Sequence, residues 1–427
     1  MNNDIRPQHR IPINEVEPEH KHITSRPTIS KTYAGIEGSS EATSLSPAEF
    51  PKTDNEEAQS KVKRNLWYSL RHWRPTKKQM LIIVPVIIIV LIGGGLGVNK
   101  LLSHHKPHAI TNATIKVTPV TKPVASQPAT VPSTLTGLPV SPSVNQLPVT
   151  AVMIENSTDA RPQSGLAQAG VVFEAVAEGG ITRYMALYQD TSPGYIGPIR
   201  SVRPYYLQWA LGFDASVAHV GGSPEAIQDI QTWNARDLDQ FYNGSYYQRV
   251  NTRPAPHNVY TSIASLNQLE DAKGYATSTY SGFPRKSNSP ATALTATSID
   301  FNPSMSDFKV HYDYNSANNS YTRSVGGEPD MDVDQAGNET QVTPKVVIAL
   351  VMQQGLEADG LHTVYGTIGS GQAYIFQDGI VVIGTWQKTS NTSQITFTNT
   401  NGKTINLNAG QTWITIVGSS SDVSYKT

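Results

Sequence analysis

VVFEAVAEGGITRYMALYQ, residues Val171–Gln189, decides the architecture of the carboxy-terminal two thirds of this chain. β-branched and aromatic residues fill VVFEAVA and ITRYMALYQ, and both stretches read as strands. Upstream, VTAVMIE (Val149–Glu155) reads the same way; downstream, Ser201–Phe213 and Ser223–Trp233 read as helices around a strand at Ala215–Val220. Residues 149–280 therefore read as a layered α/β half. Residues 290–420 differ: DFKVHYDY, SYTRSV, KVVIALVM, QAYIFQDGIVVIGTWQK, SQITFT, KTINL and TWITIV are short, β-rich and separated by Asn, Gly, Ser and Asp. Asp378-Gly379 carries a hairpin-turn signal. The expected fold class is α/β, a layered α/β half followed by a β-rich half, preceded by one transmembrane helix.

That helix is expected at MLIIVPVIIIVLIGGGLGV, residues 80–98. Nineteen uncharged residues rising ~1.5 Å each span about 28 Å, close to the hydrocarbon thickness of a bilayer. Seven Lys and Arg lie between Lys61 and Lys78 with no acid among them, against Lys100 and Lys106 on the far side, so the amino terminus is expected in the cytoplasm and the rest outside. Residues 1–79 mix both charge signs without a sustained apolar period and read as a disordered cytoplasmic tail. Residues 99–148 carry prolines from Pro107 to Pro148 among Thr, Val and Ser and read as an extended linker.

Cysteine is absent, which excludes thiol catalysis, thiolate metal sites and lipidation at cysteine. A formal net charge of −1 argues against nucleic-acid binding by the exported part. Within residues 123–272 every basic side chain is arginine: Arg161, Arg183, Arg200, Arg203, Arg236, Arg249 and Arg253. Only guanidinium offers a planar fork that binds carboxylate or phosphate through paired hydrogen bonds, so the bias points to anion recognition. The competing reading is that these arginines pair with the segment's twelve acids in structural bridges.

Three short motifs sharpen the anion reading. GPIRSVRP sets Arg200 and Arg203 three residues apart at a predicted loop-to-helix junction. HVGGSPEAI turns through Gly221 and Gly222 and opens a helix with Ser223 as N-cap and Pro224 at N1, where exposed amides attract an anion; plain capping is the simpler alternative. RPAPHNVY brings Arg253, His257 and Asn258 onto a proline-stiffened segment, although a lone histidine is more often structural than catalytic. Asp330, Asp332 and Asp334 alternate as in a calcium loop, but the glycine and glutamate an EF-hand needs are replaced by Gln335 and Gln341. No metal or cofactor is expected, and Trp386 and Trp413 read as core residues.

VMIENSTDARPQSGL, VVFEAVAEGGITRYMALYQ, GPIRSVRPYY, AHVGGSPEA and RPAPHNVYTS, in that order, resemble the amino-terminal half of the YerB-like bacterial envelope proteins, a family built on a domain of unknown function. GQAYIFQDGIVVIGTWQK and GQTWITI are similar to its carboxy-terminal β-rich half. The resemblance covers about 145–420 and implies a layered α/β fold in which both halves form one unit on the outer face of the cytoplasmic membrane. Many members are lipoproteins held by a cysteine; here residues 80–98 would substitute. GGEPDMDVD departs from the family's pattern, in which a histidine commonly precedes the acid at Asp330.

Two functions follow. The first is an envelope binding module whose Arg183, Arg200, Arg203, Ser223, Arg253, His257 and Asn258 hold an anionic group of a cell-wall polymer or an envelope protein. The second is an envelope enzyme, a phosphotransferase or hydrolase acting on such a polymer or its lipid-linked precursor, with Glu174, Glu178 and His257 as acid–base candidates.

Overall fold

The computed structural model describes residues 129–427. The cytoplasmic tail, the apolar segment 80–98 and most of the linker expected from sequence lie outside the described residues. Among the described residues no helix is long and apolar enough to cross a membrane.

The described residues are β-rich, with three α-helices of eight to eleven residues among them. In chain order the principal strands are β1 (Thr150–Glu155), β2 (Val171–Glu178), β3 (Ile181–Tyr188), β4 (Ser216–Ala218), β5 (Arg236–Asp237), β6 (Ser298–Phe301), β7 (Val310–Asn315) and β8 (Ser320–Val325). They continue with β9 (Glu328–Pro329), β10 (Val346–Val351), β11 (Gly369–Gln377), β12 (Ile380–Lys388), β13 (Thr396–Asn399), β14 (Thr412–Val417) and β15 (Val423–Lys426). The helices are α1 (Pro204–Leu211), α2 (Pro224–Thr232) and α3 (Ile263–Lys273).

One ten-stranded sheet, in the order β13-β12-β11-β10-β14-β2-β3-β1-β4-β5, runs through both halves. The join is β14, which lies parallel to β2 of the first half and to β10 of the second, so the expected α/β half and β-rich half share one sheet and the cores on both of its faces. Strands at that join are buried on both faces, which is why they read as near-continuous apolar runs and not as alternating ones. On one face Phe173, Met185 and Ile348 pack against Tyr206, Trp209 and Ala210 of α1 and Ala226 and Ile230 of α2. On the other, Val172, Tyr184 and Trp413 pack toward Leu266 and Leu269 of α3 and the five-stranded sheet β9-β8-β7-β6-β15.

Three sequence expectations change. The linker ends earlier than residue 148: Val131–Pro132 pairs with Pro139–Val140, and Leu135 is 1% exposed. Hydroxyls hold this hairpin, since Ser133 and Thr136 both donate to Asp190, while the two prolines pair where no ladder amide is needed. Helix α3 was not anticipated, although its ends carry ordinary signals, Ser262 accepting from the Ser265 amide and Gly274 in the left-handed region at φ 78°. The predicted helix Ser201–Phe213 shortens to α1, because Ile199–Val202 stays extended and bridges Ile154 and Gly222.

The Asp378-Gly379 turn forms with both residues at positive φ, as a two-residue hairpin requires. Trp386 and Trp413 lie in the core.

Candidate functional site

The end of β1 and the bend of β2 bring a group of charged side chains to one edge of the molecule. β2 carries Glu174 and Glu178, four positions apart, which ordinary alternation would put on one face. A bulge between Val176 and Glu178 breaks the register, so Glu178 pairs with Ile181 and turns to the face on which Arg183 lies. There Arg183 Nη2 donates to Glu178 Oε1 at 2.5 Å and its Nη1 to Oε2 at 3.2 Å. Arg203, at the N-cap of α1, donates from Nη2 to Oε2 at 2.6 Å and from Nη1 to Ser201 Oγ at 3.0 Å. Burial opposes ionisation of Glu178, but the charges of Arg183, Arg203 and Arg200 outweigh it and hold the carboxyl below its usual pKa.

Glu155, at the end of β1, anchors the second part of the group. Arg200 Nε lies 3.3 Å from its Oε1 and His257 Nδ1 lies 2.9 Å from its Oε2. Ser157 Oγ donates to Oε1 at 3.0 Å. The carboxylate is buried, whereas the side chains of Arg200 and His257 are 29% and 16% exposed. Among the described residues Arg200 Nε meets Glu155 as an ion pair without a hydrogen bond, its terminal nitrogens donate to no protein acceptor, and His257 Nε2 has no partner. Three guanidiniums (Arg183, Arg200, Arg203) face two carboxylates (Glu155, Glu178), leaving one positive charge in excess.

Five sequence-predicted residues thus fall into two neighbouring charged groups, Glu178 with Arg183 and Arg203 and Glu155 with Arg200 and His257, and four lie elsewhere. Ser223 accepts from the Ala226 amide and so caps α2, and the Gly221 amide in the turn before it donates to Asp239. Arg253 donates to the carbonyls of Asp159 and Pro162, and Asn258 is occupied by Arg249 and the Val250 carbonyl. Glu174 fails as an acid–base candidate because it is fully buried and accepts from both Arg323 contacts, Trp413 Nε1 and Thr415 Oγ1 at 2.9–3.1 Å. Glu178 is a poor proton donor, since two arginines hold it ionised. Sequence reasoning missed Glu155 and Ser157, whose only signal was an acid at a strand end followed by Asn156 and Ser157.

The alternating aspartates do not converge. Asp330 pairs with Arg323, Asp332 accepts from the Leu166 and Ala167 amides at 3.0 and 3.2 Å, and Asp334 closes its own turn with Ala336 and Asn338. Among the described residues Glu357, Asp359 and His362 alone bring three potential metal ligands together, on an exposed hairpin.

Two family models match the chain, the amino-terminal domain of the DUF3048 proteins of unknown function over residues 135–276 and their carboxy-terminal domain over 298–414. "Putative lipoprotein YerB" of Bacillus subtilis (strain 168) is 30% identical over 287 residues, 66% of this chain and 85% of that protein. The chain belongs to the DUF3048, YerB-like family. The crystal structure of the YerB protein from Bacillus subtilis matches with a TM-score of 0.62 at 28% identity, covering 70% of this chain and all of that one. The two matched regions of this family meet at β14 and β2, so the Glu155 and Glu178 network stands on a sheet that both build.

Proposed function

We propose that this YerB-like protein is an extracytoplasmic binding module, anchored by residues 80–98, that holds an anionic group of a cell-wall polymer or an envelope protein on Arg200 and His257. One observation carries the reading: the Glu155 carboxylate is hydrogen-bonded to the His257 imidazole and ion-paired with the Arg200 guanidinium, while the terminal nitrogens of Arg200 and Nε2 of His257 keep free hydrogen-bonding positions. The excess positive charge of the network adds to the attraction. The anchor rests on the apolar run and its basic cytoplasmic flank, and the lipoprotein name of the related YerB agrees with a protein held at a membrane.

A second reading, an envelope phosphotransferase or hydrolase, is favoured by the same histidine. Imidazole paired through Nδ1 with a carboxylate leaves Nε2 to take a proton from a substrate. Ser157 does not complete a nucleophilic triad, because it approaches Nδ1 at 3.4 Å, the nitrogen already facing Glu155.

The test is binding of phosphate-rich and phosphate-free cell-wall polymers to the full-length protein in detergent. Arg200→Lys is expected to weaken binding of the phosphate-rich polymer about tenfold, because the fork geometry is lost while the charge stays. Equal binding by the wild type and the variant overturns the reading. Chemical change in the bound polymer would favour the enzyme.

A further inference from the structure

Seven arginines and no lysine supply the basic side chains of residues 123–272, and four of them, Arg183, Arg200, Arg203 and Arg236, meet a carboxylate. Arg161 is taken up by Asn156 and the Asp307 carbonyl. That leaves Arg249 and Arg253, neither of which pairs with an acid among the described residues. Both line a cleft of about 590 Å³ that includes neither Arg200 nor His257.

The loop that carries them is firmly held. Across its base the Val250 amide donates to the Asn258 carbonyl at 2.9 Å, and Gln248–Arg249 pairs with Val259–Tyr260. Arg253 braces it from inside, donating from Nη1 and Nη2 to the carbonyls of Asp159 and Pro162 at 3.3 and 2.7 Å, and its Nε has no protein partner among the described residues. Arg249 is exposed and uses only Nη1, on Asn258 Oδ1 at 2.9 Å. Against these two cations the cleft offers one acid, Asp334, whose oxygens already accept from the Ala336 and Asn338 amides and from Asn338 Nδ2. Tyr195 and Tyr260 complete the wall with rings stacked at 4.3 Å and 2°. Burial raises both hydroxyls above their ordinary pKa, that of Tyr260 to about 12, so they stay neutral donors and add no negative charge.

Two guanidiniums without carboxylate partners and two neutral hydroxyls around one open cleft suit an anion. His257, four residues after Arg253, faces Glu155 in the Arg200 group, so the Cα atoms of Arg253 and His257 lie at most about 14 Å apart. We propose that Arg249 and Arg253 form a second anion subsite and that the ligand is a polymer with phosphate repeated along its chain, one phosphate on Arg200 and His257 and another in this cleft. This rests on the Arg200 and His257 reading above and narrows its ligand class. Successive phosphates set many acceptor oxygens within a short length of flexible chain, whereas a single anionic group leaves one subsite empty and an acidic peptide spreads its carboxylates over separate side chains.

Binding of long-chain inorganic polyphosphate to the full-length protein in detergent tests it, compared per phosphate with inorganic phosphate and per charge with poly-L-glutamate. Polyphosphate is expected to bind at least about tenfold more tightly than inorganic phosphate, because the second contact becomes intramolecular. Arg249→Gln, at an exposed position, is expected to weaken polyphosphate binding about threefold and R249Q/R253Q about tenfold, both with a shallower dependence on salt. If the double variant fails to fold, the single one decides. Weakening by both Arg200→Lys and Arg249→Gln supports the proposal. Weakening by Arg200→Lys alone overturns it and leaves the Arg200 reading standing; weakening by Arg249→Gln alone overturns the Arg200 reading and the shared polymer with it. Equal binding of phosphate and polyphosphate, or poly-L-glutamate bound as tightly as polyphosphate, also overturns it.

Discussion

Glu174 and Glu178 lie on one strand, each held by arginine, and they have different fates. Glu174 is sealed between the two sheets with Arg323, Trp413 and Thr415, and the guanidinium of Arg323 lies 4.3 Å over the Trp413 ring. Glu178, past the bulge, reaches the opposite face and an edge where its side chain is 21% exposed. A single inserted residue, Ala177, separates a cluster that fixes the join of the two halves from one that borders solvent. Identical ion-pair chemistry therefore signals structure in one place and a candidate site in the other, and burial with complete hydrogen bonding distinguishes them.

Removing the buried cation gives the largest expected effect. Arg323→Met leaves Glu174 and Asp330 facing each other with no counter-charge, and urea denaturation should show a loss of ~3–5 kcal/mol. Adding Glu174→Gln and Asp330→Asn to that variant should restore part of the loss. A cost below ~1 kcal/mol for Arg323→Met would erase the contrast with the exposed cluster.

At the edge the expected cost is smaller and depends on pH. Glu178→Gln removes the negative charge between Arg183 and Arg203 and one of the two oxygens that accept from them, and should cost about 2 kcal/mol at pH 7. Because the folded pKa of Glu178 lies below its ordinary value of 4.5, its contribution is complete above that value and is lost as pH falls through the folded one. Wild type and variant should thus converge in acid. Stability curves that stay parallel down to pH 3 would mean that the two arginines do not set the ionisation of Glu178.

Much of this architecture was legible in sequence. The strands at Val171–Glu178, Ile181–Tyr188 and Thr412–Val417 announced themselves by unbroken β-branched and aromatic runs, because both faces of that sheet are covered. The pairing of β14 with β2 was not legible, since residues more than 230 positions apart carry no local signal of adjacency. For the site, the arginine-only composition pointed to Arg183, Arg200 and Arg203, and all three are paired with acid, Arg183 and Arg203 with Glu178 and Arg200 through its Nε with Glu155. The bulge decided which acid they met, and a register shift of one residue leaves no mark in composition. Arg253 and Asn258 misled because proline stiffening fixes a segment without fixing where its side chains turn.

A third glutamate, buried with no guanidinium hydrogen-bonded to it, completes the comparison and gives the smallest effect. Glu270 on α3 accepts from Thr150 Oγ1 at 3.0 Å, while its Oε2 and the nearby Ser216 Oγ are buried without partners. Burial pushes its pKa up to about 7, above the ordinary 4.5, so the folded protein holds a proton that the unfolded chain releases. That proton gives Oε2 a hydrogen to donate toward Ser216. The sign is opposite to that of Glu178: stability is greatest below the unfolded pKa and falls as pH rises through about 7. Glu270→Gln carries its own donor at every pH, so it should match the wild type near pH 4.5 and exceed it by about 1 kcal/mol at pH 8. Thermal denaturation of the two proteins across that range measures it; a difference independent of pH would show that Glu270 is ionised in the fold, and that hydrogen bonds alone suffice where Glu174 and Glu178 use arginine.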